Sequence, residues 1–156
     1  TFGHALENLL AYRGILHGEA VAIGMMIAFK ISAGLRLKNK EDLKEITELQ
    51  QRVARLLQNC GLPIAISELA GEKFLRKIAG SLGSGALEAD AKERANLVAE
   101  VPRLIEKSAG ERWKNALVSD KKRTSGGIDF VGVKKAGEPF IQPLLVDELF
   151  SLSGIV

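Results

Sequence analysis

Between Ala20 and Ile31 only Lys30 interrupts an apolar run, and that run constrains the fold more than any other feature. A helix that is apolar nearly all round has no face to give to water, so it belongs at the centre of a bundle. Ala20, Val21, Ile23, Met25, Met26, Ile27, Ala28 and Ile31 put such a helix at about 18–35. A membrane span needs roughly 20 apolar residues, and this run is shorter, so it reads as a buried core helix. The chain, at 156 residues, is long enough to surround it with one real core.

Helical periodicity continues on both sides of this segment. Phe2, Leu6, Leu9 and Leu10 predict a short amphipathic helix from about Phe2 to Tyr12, broken by Gly14. Because that period already runs behind Thr1, the chain reads as cut from something larger; the other reading is an initiator Met removed before a small residue. Asn39 is placed to cap a third helix, with Glu41 and Asp42 in its first turn. Its apolar stripe is Leu43, Ile46, Leu49, Val53, Leu56, Leu57 and Cys60, and Gly61 and Pro63 end it. Cys60, the single cysteine, is expected in the core; no internal disulfide is possible, which favours a reducing compartment. A fourth helix is expected over Ser67–Ile78, a glycine turn over Gly80–Gly85, a fifth helix over Leu87–Glu100, and a sixth from Pro102 towards Val118.

After that the period changes. Ile128, Phe130, Val131 and Val133 read as a strand that pairs with Phe140–Leu144 across a turn at Gly137, and Val146–Leu152 closes as a short helix. The expected fold is therefore mainly α, with a small β-hairpin near the C-terminus. The net charge is +3 with the cations spread along the chain, so no nucleic-acid stripe is visible. No basic segment with a cleavage site opens the chain, so no secretory signal is expected.

Few residues have the makings of chemistry. The only histidines, His4 and His17, sit on consecutive helices joined by a short turn. Their spacing is not that of two ligands on one helix, yet an antiparallel hairpin brings such rings together. Neutral imidazole is the metal-binding form, but two histidines are too few for a catalytic zinc site, which takes three protein ligands and an open position. Glu19 is a possible carboxylate, although a glutamate in a first helical turn commonly serves the helix dipole. Ordinary half-buried histidines are the competing reading. Asp120, Lys121, Lys122 and Arg123 precede a Thr-Ser-Gly-Gly turn, where cations either hold a phosphate or carboxylate or form a solvated run. No dinucleotide fingerprint, phosphate loop or Gly-x-Ser-x-Gly elbow is present.

The segments Thr1-Phe2-Gly3-His4-Ala5-Leu6-Glu7 and Leu16-His17-Gly18-Glu19-Ala20-Val21-Ala22-Ile23-Gly24-Met25 resemble the 3-dehydroquinate synthase family in two motifs, their order and their separation. Asp120-Lys121-Lys122 is similar to a later motif of that family. The middle, about 37–119, matches only in helical character, and Ala136-Gly137 stands where Ile-Gly is usual. The resemblance implies that residues 1–156 are the helical, metal- and substrate-binding C-terminal domain of a two-domain enzyme, with the NAD-binding domain outside this chain. It implies zinc or cobalt held by a glutamate and two histidines. Of these His17 is one; the other histidine stands just before Thr1, and the glutamate lies further upstream. It places His4 near the substrate phosphate and Lys121 and Lys122 on the anionic substrate, Lys121 being favoured.

The implied reaction converts 3-deoxy-D-arabino-heptulosonate 7-phosphate to 3-dehydroquinate and phosphate in the shikimate pathway. NAD oxidises an alcohol transiently, phosphate leaves, hydride returns and the ring recloses by an aldol step. The fragment alone is expected to be inactive, and the intact enzyme to be a cytoplasmic homodimer. Other sugar-phosphate cyclases, of the inosose or valiolone type, share the histidine motifs. A metal-dependent alcohol dehydrogenase fits the motifs less well, and a non-enzymatic helical module is the reading of a different class.

Overall fold

The computed structural model describes residues 2–71, 99–119 and 127–155. In chain order these form α1 (Phe2–Leu9), α2 (His17–Lys38), α3 (Lys44–Asn59), a 3-10 turn (Ile66–Ala70) and a helical stretch at 99–105. A second 3-10 turn (Lys107–Ala109), α4 (Gly110–Ser119), strands β1 (Ile128–Lys135) and β2 (Glu138–Leu144), and α5 (Val146–Ser153) follow. The mainly helical fold with one antiparallel hairpin is the one the sequence predicts.

The apolar run sits inside α2, and α2 is the central element. It packs against α1, α3, β1 and α5. Ile23, Ile27, Ile31 and Leu35 join Phe2, Leu6, Trp113, Phe130 and Leu149 in the main core, while Met26 and Phe29 face Ile46 of α3 in a smaller one. Burying each such side chain contributes roughly 1.5–3 kcal/mol. The helix containing the run is 22 residues long and passes for a membrane span by length and hydropathy, although half of its most apolar window is buried among its neighbours. The burial is not complete all round. Val21 and Met25 stay about 40% exposed on one side.

The first reversal is tighter than the sequence implies. Helix α1 stops at Leu9, before the expected Tyr12, because Ala11 and Tyr12 both adopt left-handed backbone, at φ 52° and 57°. The Tyr12 N–H donates to the Glu7 carbonyl at 2.7 Å and the Ala11 N–H to the Asn8 carbonyl at 2.9 Å, which satisfies the end of the helix. Asn39 likewise ends α2 and does not begin α3; the N-cap of α3 is Leu43, and the Asp42 carboxylate just before it accepts the Lys44 N–H at 3.0 Å. On α3, Ile46 is buried and Leu43, Leu49, Val53 and Leu57 are partly covered. Leu56 and Cys60 are exposed, so the expectation of a core cysteine fails: Cys60 is the C-cap, beyond the last turn that reaches α2.

The described part of the expected fourth helix is the 3-10 turn. The Gly80–Gly85 turn and most of the fifth helix lie outside the described residues. The expected sixth helix is two pieces. The chain is already helical at 99, then Glu106 is extended and α4 starts at Gly110. Trp113 joins the pieces: fully buried, it donates from Nε1 to the Leu104 carbonyl at 2.9 Å and packs its ring 6.3 Å from that of Phe2. On the surface of the same junction Arg112, with Arg103, holds the Glu100 carboxyl below its ordinary range.

In the hairpin, Ile128 pairs with Leu144 and Lys135 with Glu138, and Gly137 takes the turn at φ 78°. One buried side chain ties the hairpin to α2. The Ser32 hydroxyl donates to the Ala28 carbonyl at 2.8 Å and accepts the Val133 N–H at 3.2 Å. Removing it leaves a strand N–H at the α2 face without that acceptor. Ser32→Ala is expected to lower the unfolding free energy by about 1–3 kcal/mol in urea titration; a loss within experimental error would contradict this role.

Candidate metal and substrate site

The site forms where α1 and α2 touch without side chains between them. A Cβ on Gly24 would lie 2.9 Å from the Gly3 nitrogen, and one on Gly3 would lie 3.0 Å from the Ala20 carbonyl oxygen. The first is shorter than real Cβ contacts allow and the second is tighter than nearly all of them, so glycine at 24, and to a lesser degree at 3, lets the two backbones meet. With the tight reversal at 10–16, this close crossing brings His4 and Glu7, one turn apart on α1, beside His17 at the first turn of α2.

The two imidazoles stack, with centroids 5.8 Å apart and planes inclined by 27°. The hairpin thus brings together the two histidines that the sequence singles out. Beside them lies a carboxylate that the motifs do not single out. The Glu7 Oε1 is 2.9 Å from His17 Nδ1. One ligand atom from each of His4, Glu7 and His17 falls within 4.8 Å of the others. The signal for Glu7 was present, since an acidic residue three positions after a histidine on a helix shares its face. Leu6, Leu9 and Leu10 mask it, because they make the segment read as packing surface.

Burial divides the cluster. The Glu7 side chain is 9% exposed, whereas His17 is 64% exposed and faces out of the fold. Glu19, the carboxylate weighed from sequence, turns back to accept the Leu16 N–H at 2.9 Å and closes the start of α2. Lys121 and Lys122 lie outside the described residues. Next to His4, a cleft of about 290 Å³ opens between α2 and β1, walled by Phe2, Val21, Met25, Phe130 and Val131. A second cleft, of about 210 Å³, lies across α2 around Lys30 and Ile64 and touches neither histidine.

Two imidazoles and a carboxylate at this separation are the donor types that zinc and cobalt take. The His17 side chain is 64% exposed and meets Glu7 through Nδ1, which leaves its other ring nitrogen as the atom for a metal. The residues present therefore fit a divalent transition metal at the outer edge of this cluster.

Comparison with known proteins places the chain in a family. The family described as 3-dehydroquinate synthase C-terminal matches residues 1–81, more than half of the chain. The chain belongs to the 3-dehydroquinate synthase family. A 3-dehydroquinate synthase of Rhizobium johnstonii is 40% identical over 143 residues, which is 90% of this chain and 27% of that protein. One from Rhizobium etli is 46% identical over 74 residues, covering 46% of this chain and 18% of the relative. One from Nitrosospira multiformis is 41% identical over 75 residues, covering 48% and 19%. The chain thus spans less than a third of the length of these 3-dehydroquinate synthases. No solved structure matches it.

The glycine contact makes the site sensitive to a single methyl group. Gly24→Ala forces α1 away from α2 and should destabilise the fold by about 1–3 kcal/mol. It should also weaken or abolish the nuclear Overhauser contacts between the His4 and His17 rings. Unchanged stability and unchanged ring contacts would show that the crossing does not depend on glycine.

Proposed function

We propose that this chain supplies metal- and substrate-binding groups of a 3-dehydroquinate synthase, which converts 3-deoxy-D-arabino-heptulosonate 7-phosphate to 3-dehydroquinate and phosphate. The observation that carries the reading is the convergence of His4, Glu7 and His17 at the α1–α2 crossing, inside the residues that match the family. The full reaction needs an NAD-binding domain beyond these 156 residues, so the chain by itself is inactive. The intact enzyme works as a cytoplasmic homodimer.

His17 holds the metal, zinc or cobalt, through the ring nitrogen that points away from Glu7. When bound, the metal would supply Lewis-acid polarisation at the hydroxyl being oxidised, and NAD held outside these residues would supply the hydride acceptor. His4, at the mouth of the cleft, donates a hydrogen bond to the substrate phosphate. Lys121 and Lys122 hold the substrate's anionic groups as charge-assisted donors. The cleft walls of Val21, Met25, Phe130 and Val131 exclude water on one side of the bound sugar, which strengthens these polar contacts.

The test is phosphate release from the heptulosonate by the protein that carries this segment, with NAD and zinc. His17→Ala is expected to lose both bound zinc and turnover, while Lys121→Ala keeps the zinc and loses about 100- to 1000-fold in kcat/KM. Phosphate release without the heptulosonate being cyclised, or full zinc content in His17→Ala, would overturn the assignment. Turnover of a related sugar phosphate alone would transfer the chain to another cyclase.

A further inference from the structure

The contact between Glu7 and His17 joins a buried carboxylate to an exposed ring, and an ionised carboxylate gives it one direction. A carboxylate oxygen accepts, so at 2.9 Å the donor is His17 Nδ1. A neutral imidazole carries a single N–H. With that hydrogen on Nδ1, the Nε2 lone pair is left for something else. Glu7 also fixes where the ring starts from: its main-chain carbonyl accepts the Tyr12 N–H at 2.7 Å, which sets the reversal leading to His17. One residue therefore holds the turn through its backbone and the imidazole through its side chain.

We propose that Glu7 is a positioning residue for His17, holding the ring in its Nδ1–H form so that Nε2 presents its lone pair to a divalent metal ion at the open side of the cluster. The proposal rests on the reading of His17 as a ligand. Carboxylate–histidine–metal relays work in this way, and losing the outer partner lowers metal affinity about 10- to 100-fold. Nothing about the family match assigns this task to Glu7; it comes from the 2.9 Å contact and from the contrast in burial.

The experiment uses the protein that carries this segment, labelled with nitrogen-15 in its histidines, with the His17 signals assigned by their loss in His17→Ala. Long-range proton–nitrogen correlation, at a pH where the rings are neutral, reads the tautomer of each. Zinc affinity is measured on the same samples by competition with a chromogenic chelator, and circular dichroism checks the fold of every variant. The wild-type chain should show His17 as Nδ1–H. Glu7→Leu should shift it to Nε2–H, the form a free imidazole prefers, and weaken zinc binding about 10- to 100-fold. Glu7→Gln, whose amide oxygen still accepts, should retain the Nδ1–H form and lose less affinity; it also decides the matter if Glu7→Leu fails to fold. An Nε2–H ring in the wild type, or zinc affinity unchanged in a folded Glu7→Leu chain that has lost the Nδ1–H form, overturns the proposal. If His17→Ala also keeps its zinc affinity, the failure lies in the reading of His17 as a ligand; if His17→Ala alone loses it, the failure lies with Glu7.

Discussion

The backbone contact between α1 and α2 is the constraint on which the rest depends. Gly3 and Gly24 remove the side chains that would hold two helices apart at their usual 8–10 Å. The gain is access: a residue on α1 comes within hydrogen-bond distance of one at the start of α2. The cost is that dispersion and apolar burial must come from elsewhere. Here they come from Phe2 and Leu6 of α1 and Leu10 just beyond it, which share the main core with Ile23, Ile27 and Trp113. Trp113 matters in particular because it bridges α1, α4 and the 99–105 stretch while satisfying its own N–H on Leu104. The site thus lies at the rim of the core and is backed by it.

Much of this was legible in the residues. The apolar run at 20–31 could only be a central helix, and the switch from a helical period to alternation after 127 located the hairpin and its Gly137 turn. Misreadings fell where local signals compete. Tyr12 looks like part of a helix by period, but two left-handed residues end α1 early, and no residue type announces such a turn when neither is glycine or asparagine. Asn39 and Asp42 are both good caps, and sequence alone does not say which of two adjacent helix ends each serves. Cys60 fits the stripe of α3 by spacing, yet a stripe says only which side is apolar and not how far along the helix a neighbour extends.

The site was half visible. Both histidines stood out as the only two in the chain, and the family motifs around them gave them roles. Glu7 did not stand out, because its importance is relational. A glutamate on a short amphipathic helix becomes a buried hydrogen-bond acceptor only after the chain has reversed and returned His17 to within 2.9 Å. The spacing of ten residues between them has no periodic meaning. Lys121 and Lys122 show the opposite case, residues named from a motif whose surroundings lie outside the described part of the fold. Glu19 separates the two kinds of evidence: it has the chemistry of a ligand, and its position instead makes it a cap.

The central claim is that His17 is a metal ligand presented from this crossing. Zinc-edge X-ray absorption on the zinc-loaded protein, wild type against His17→Ala, tests it most directly. The account predicts nitrogen or oxygen neighbours at about 2.0–2.1 Å with the multiple-scattering pattern of imidazole, and a loss of imidazole signal in the variant. An identical spectrum and zinc content in the two proteins would contradict it and return His4, Glu7 and His17 to the role of a surface hydrogen-bond cluster.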